Sequence, residues 1–136
     1  MVPYRVLILE RAPNIRRALG QLLTDEGFEV ATAYDTETAV SRARALEPAV
    51  IVIELETEGD LAAVRELASV TRQIIVIAPY GRGPLAIEAM SAGASDYILK
   101  PISRAELLVV IQKAIEQFEL ARELTELRLE LGRLPT

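Results

Sequence analysis

The 136 residues contain no cysteine and no histidine. Without cysteine there is neither a disulfide nor a thiolate metal site. Without histidine the chain lacks the commonest general base and the commonest metal ligand. Ser-His-Asp, Cys-His and imidazole–metal chemistries are therefore excluded, and no cofactor is implied. Tryptophan is also absent, and aromatics make up only 4% of the chain, so a core has to be built from Leu, Ile, Val and Ala. No apolar run approaches the ~20 residues that cross a bilayer. The start, Met1-Val2-Pro3-Tyr4-Arg5, has neither the charged region nor the apolar core of a signal peptide. The expectation is a cytoplasmic protein that does not engage a membrane. Basic residues are outnumbered, with a net charge of −5. Arg16-Arg17, Arg42 and Arg44 read as solvated helix faces, and no nucleic-acid partner is expected of this domain.

Against these absences stand four short apolar runs: Arg5–Leu9, Ala49–Ile53, Gln73–Ile77 and Asp96–Leu99. Consecutive β-branched residues of this kind suit strands covered on both faces. A fifth run, Phe28–Ala33, alternates like a less buried strand. Helical spacing fills the intervals. Pro13 opens a helix that runs to about Glu26, with Ile15, Leu19, Leu22 and Leu23 inward, and Gly27 ends it. Asp35 or Thr36 caps a second helix, about Glu37–Leu46, which Pro48 stops. Asp60 is expected to cap a third, with Leu61, Val64 and Leu67 inward. Leu85–Ala92 makes a fourth, ended by Gly93. Ser103 and Glu106 form a capping box for the last.

The order βαβαβαβαβα implies a parallel sheet with helices on both faces and right-handed crossovers. Five strands suit a flavodoxin-like three-layer sandwich of strand order 2-1-3-4-5. The strand ends bearing Glu10, Glu54, Ala78 and Lys100 then share one crevice, where open α/β sheets place their chemistry.

The last helix could run from Arg104 to about Arg133. Leu108, Ile111, Ile115 and Phe118 make one stripe, expected against the sheet. Leu120, Leu124, Leu127, Leu131 and Leu134 make a second, spaced 4, 3, 4, 3 like a coiled-coil seam. The expected organisation is a domain over residues 1–118 and a helical extension over 119–136. That extension would serve self-association or link to an output domain.

Several segments together resemble a response-regulator receiver domain. Val6 to Arg16 is similar to the family's first strand and turn, and Glu47 to Glu54 to its third strand. The most specific stretch is Gly93-Ala94-Ser95-Asp96-Tyr97-Ile98-Leu99-Lys100-Pro101. The resemblance implies self-phosphorylation of an aspartate at the end of the third strand. It also implies two acidic residues after the first strand and a divalent metal, usually Mg²⁺. A Thr or Ser after the fourth strand and a Lys after the fifth complete the set. Carboxylates hold the metal, while metal and Lys offset the phosphoryl charge.

This sequence departs from that set. Glu54 stands at the acceptor position, Glu10-Arg11 at the acidic pair, and Ala78 followed by Pro79 at the hydroxyl position. Lys100 is retained, and Tyr97 stands at the switch aromatic. The loop after Glu54 is short, which weakens Glu56 as a backbone-carbonyl metal ligand. Arg11 is expected to repel a metal, and Glu54 and Glu10 are expected to be balanced by Lys100 and Arg11. The resulting expectation is an atypical receiver, or pseudo-receiver: not an enzyme, holding no metal, and acting as a phosphorylation-independent interaction and dimerisation module. Its partner would meet the fourth helix, fifth strand and last helix (Ile87, Met90, Tyr97, Glu106 and Val110), or the C-terminal helix. The alternative is a phosphorylatable regulator using Glu54 as a modified acceptor. A small-molecule-binding flavodoxin-like domain is disfavoured, because no Gly-rich phosphate loop follows the first strand.

Overall fold

The computed structural model describes residues 3–133. Its elements are β1 (Arg5–Leu9), α1 (Pro13–Asp25), β2 (Glu29–Ala33), α2 (Thr36–Leu46), β3 (Val50–Glu54), a 3₁₀ turn (Glu58–Asp60), α3 (Leu61–Ala68), β4 (Ile74–Ala78), α4 (Gly83–Ala92), β5 (Asp96–Leu99) and α5 (Arg104–Arg133). All strand pairs are parallel and the sheet order is β2-β1-β3-β4-β5, as the alternation predicted.

The two-residue period of the strands divides the core in two. Leu7, Leu9, Ile51, Ile53, Ile74 and Val76 face α2, α3 and α4, meeting Ala43, Val64, Leu67 and Ala89. Val6, Ile8, Val50, Val52, Ile75, Ile77 and Ile98 face α1 and α5, meeting Leu19, Leu23, Leu107, Ile111 and Ile115. Each fully buried Leu or Ile contributes about 1.5–3 kcal/mol. β1, β3 and β4 are therefore apolar on both faces, whereas the edge strand β2 is half-buried.

Local signals mostly act as expected. Asp35 caps α2 by accepting from Thr38 N at 2.8 Å. Gly93 ends α4 at φ +125°, and a Cβ there would lie 2.6 Å from Ala68 Cβ. Four expectations need correction. Ile15 faces outward, because the buried face of α1 is set by Leu19 and Leu23. Asp60 does not cap α3 with its side chain, which turns back into the preceding loop instead. At Ser103 only half of a capping box is present: its Oγ accepts from Glu106 N at 3.3 Å. Finally, Leu107 is the buried residue in the first turn of α5, and Leu108 only flanks the core.

α5 is one continuous helix. It begins at the same pole as Glu54 and runs antiparallel to the strands. At the opposite pole it is fastened to the body by three contacts. The Tyr4 hydroxyl donates to Glu119, the Tyr4 and Phe118 rings meet edge to face at 6.4 Å, and Arg122 lies over Phe118. Beyond Phe118, Leu120, Leu124, Leu127 and Leu131 are exposed; Leu134 lies outside the described residues. No helix among those described is long and apolar enough to cross a membrane.

Candidate functional site

The crevice forms where β1, β3, β4 and β5 end together. β3 carries Glu54 at its last position, paired in register with Ile77 of β4. β1 ends one residue before Glu10, whose N–H donates to Ala33 O at 3.1 Å. Ala78 and Leu99 are paired, and Lys100 N donates to Ala78 O at 2.9 Å. The topology thus brings Glu10, Glu54, Ala78 and Lys100 to one pole, as the sequence predicted.

Within that pole Glu10 and Glu54 are both buried. Glu10 Oε1 accepts from Ala12 N at 2.8 Å, which folds the β1–α1 turn over it. Glu54 Oε1 forms an ion pair with Lys100 Nζ, with the Glu54 side chain 4% and the Lys100 side chain 32% exposed. Removing a partner from such a pair leaves an uncompensated buried charge. The remaining oxygens, Glu10 Oε2 and Glu54 Oε2, are buried without a hydrogen-bond partner.

Arg11 lines the same recess but pairs with neither Glu10 nor Glu54. Its Nη2 donates to Asp60 Oδ1 at 2.5 Å. Asp60 is buried, and its Oδ2 also accepts from Glu56 N at 2.7 Å and Thr57 N at 3.1 Å. The carboxylate therefore closes the short loop after β3, and Arg11 supplies its counter-charge from across the crevice. Burial pushes the Asp60 carboxyl up, but the Arg11 hydrogen bond and the two backbone N–H groups outweigh it. The net result lies below the ordinary carboxylate range. The same contact raises the Arg11 guanidinium.

The expected balance of two acids against two bases is thus corrected. Glu10, Glu54 and Glu56 offer oxygens all within 4.8 Å of one another, and the cation engaged there is Lys100. Two negative charges are left over. The recess these residues line has a volume of ≈ 10 Å³, about the size of one water. Two orphaned buried carboxylate oxygens, hard oxygen donors and an excess of negative charge fit a hard divalent cation. Glu10, Glu54 and Glu56 are the residues that would hold it, and its role would be to neutralise that charge and any negative group brought against it. Arg11 also lines this recess, where its charge is met by Asp60.

Ala78 is completely buried, and its methyl offers no hydrogen bond where a hydroxyl would be needed. Tyr97 is 40% exposed on β5, and Ile87 and Met90 of α4 are exposed as well. Val110 is partly buried beside the core and shares a side of α5 with Lys113, which reaches Asp96 of β5, whereas Val109 points away from the sheet. Two participants escaped the sequence reading. Asp60 was signalled only by the Thr57-x-x-Asp60 spacing of a capping box, which the 3₁₀ turn forms. The Glu56 side chain carried no signal of its own, because loop geometry sets its direction.

A family model described as the response regulator receiver domain matches residues 6–112. The transcriptional regulatory protein PdtaR of Mycobacterium tuberculosis is 34% identical over 98% of this chain, which spans 65% of PdtaR. The chemotaxis protein CheY of Treponema pallidum is 30% identical, with 84% of each chain covered. Among solved structures, NtrX from Brucella abortus in complex with ADP superposes with a TM-score of 0.84 at 28% identity. That match takes in 98% of this chain but 31% of NtrX.

Proposed function

The chain belongs to the response regulator receiver domain family, and we propose that it serves there as an atypical receiver whose state does not depend on phosphorylation. Receiver domains of two-component response regulators are signalling modules that interact with a partner or an output domain. The observation that carries the proposal is Ala78. A receiver that reads its own phosphorylation needs a hydroxyl at the end of β4 to bond the phosphoryl group, and here a buried methyl stands there. Two features add to this. Glu54 is a methylene longer than aspartate, and a displacement of roughly 1 Å can cost ~10²-fold in rate. Its Oε1 is already engaged by Lys100. Residues 1–118 would form the signalling unit and 119–136 an extension toward an output domain. The partner surface would be the α4–β5–α5 face, with exposed Ile87, Met90, Tyr97 and Glu106 and the partly buried Val110.

A second reading keeps Glu54 as a modified acceptor in a phosphorelay. It is favoured by one observation, the unpartnered Glu54 Oε2 beside Glu10 and Glu56. Incubation with a small-molecule phosphodonor and Mg²⁺, followed by intact-mass measurement, separates the two. The expected result is no change in mass. A gain of one phosphoryl group that disappears in Glu54→Gln would establish the second reading and end the first.

A further inference from the structure

We propose that two copies of this chain pair through a parallel, in-register coiled coil formed by residues 120–131 of α5. The four leucines of this segment set the heptad phase: Leu120 and Leu127 fall at d, Leu124 and Leu131 at a. All four are exposed on a helix whose earlier turns are packed on the sheet. The body-facing stripe runs through Leu107, Ile111, Ala114 and Phe118, and its continuation falls on Ala121 and Thr125. The leucine stripe is displaced from it by one residue, about 100° around the helix. Leu124 borders a recess shared with Val70, Thr71 and Gln73 of the body, while Leu120, Leu127 and Leu131 are more exposed.

Charge selects the occupant and its direction. In this phase Glu123 and Glu130 occupy g positions and Arg128 an e position. In a parallel pair, g of one heptad meets e of the next heptad on the other chain, and such contacts set partner and orientation. Glu123 then faces Arg128 of the second copy, and two-fold symmetry makes the contact twice. An antiparallel pair would set the g-position glutamates against one another. Neither Glu123 nor Arg128 has an ion-pair partner within its own chain among the described residues. A second copy of the chain supplies both partners at once.

Two heptads are short for an isolated coiled coil, because helix nucleation is unfavourable. Here the helix is already nucleated. Leu107, Ile111, Ala114 and Ile115 are buried against the sheet, and Tyr4, Phe118, Glu119 and Arg122 fix the helix where it leaves the body. Pairing therefore orders few residues that were not ordered before. The seam leaves from the pole opposite Glu54, so it is independent of the chemistry in the crevice.

The absence of cysteine makes a clean test possible in the full chain. Leu127→Cys places one thiol at a d position, where the two copies meet only if the pairing is parallel and in register. Mild oxidation should yield a cross-linked dimer, while Glu126→Cys, off the seam at c, should remain largely uncross-linked. Sedimentation equilibrium of the unmodified chain should show a concentration-dependent dimer. Glu123→Lys should weaken that dimer about tenfold, as two attractive contacts become repulsive, and adding Arg128→Glu should restore it. A chain that stays monomeric, equal cross-linking of both cysteine variants, or a dimer tightened by Glu123→Lys would each overturn the proposal.

Discussion

Arg11 and Asp60 meet at 2.5 Å across the crevice, and this contact decides what the crevice can do. The Arg11 guanidinium is drawn to the loop after β3 and away from the neighbouring Glu10, which turns inward. The loop gains a closed structure, and the Arg11 charge is met first by Asp60 and only secondarily by Glu56.

Replacing Asp60 by Ala should therefore cost more than the loss of an ion pair. It would leave Glu56 N and Thr57 N without their acceptor, and Arg11 without its partner. The expected loss is about 2–4 kcal/mol, measured by denaturant unfolding. Arg11→Gln, which spares both backbone bonds, should cost less than about 1 kcal/mol, since Arg11 is the exposed member of the pair. Equal losses for the two variants would show that the backbone bonds do not matter.

Acid stability follows from the same carboxylate. Asp60 is held below its ordinary range when folded, so the unfolded chain takes up a proton first as pH falls. Its contribution is fully present above the unfolded carboxylate pKa, about 4, and is lost as pH drops through the lower folded value. Asp35, lowered by its hydrogen bonds to Thr38, acts in the same direction. Urea unfolding of the unmodified chain and of Asp60→Asn between pH 7 and pH 3 should show a stability gap that is constant at the upper end and closes below about pH 4. A gap that widens in acid would reverse the assigned sign.

The strands and their order were legible because burial on both faces leaves continuous Val and Ile runs. The positions of Glu10, Glu54, Ala78 and Lys100 followed, since each ends or directly follows a strand. The direction of Arg11 was not legible. A long side chain chooses among acceptors that only the folded loop provides, and its acceptor, Asp60, lies 49 residues away. The inner stripe of α5 was displaced for a related reason. Leu107 and Leu108 are both apolar, so the pattern alone does not fix which of them the sheet takes.

The excess charge in the crevice makes a prediction about divalent cations. Glu10, Glu54 and Glu56 converge on an anionic recess. Adding Mg²⁺ or Mn²⁺ should raise the melting temperature, by an amount equivalent to about 2.7 kcal/mol at a hundred times the dissociation constant. Chelator should reverse the rise, and Glu10→Gln should abolish most of it. A melting temperature indifferent to both ions would mean that the two orphaned oxygens are satisfied in another way.

The Glu54–Lys100 pair can be separated into what it stabilises and what it sets. Lys100→Ala strands a nearly buried carboxylate beside two others, and with Lys100 one-third exposed the expected cost is about 2–3 kcal/mol. Glu54→Gln removes one repelling charge and leaves an amide oxygen for Lys100, so its cost should be below about 1 kcal/mol. The double variant should recover much of the Lys100→Ala loss, because the stranded charge is gone; a double-mutant cycle on unfolding free energies reads this coupling directly. If the pair also sets the state of the domain, amide hydrogen exchange in β5 and around Tyr97 should speed up in Lys100→Ala at denaturant concentrations well below the unfolding transition. A cycle with full recovery and unchanged exchange at β5 would reduce the pair to charge neutralisation, with no hold on the face that bears Tyr97.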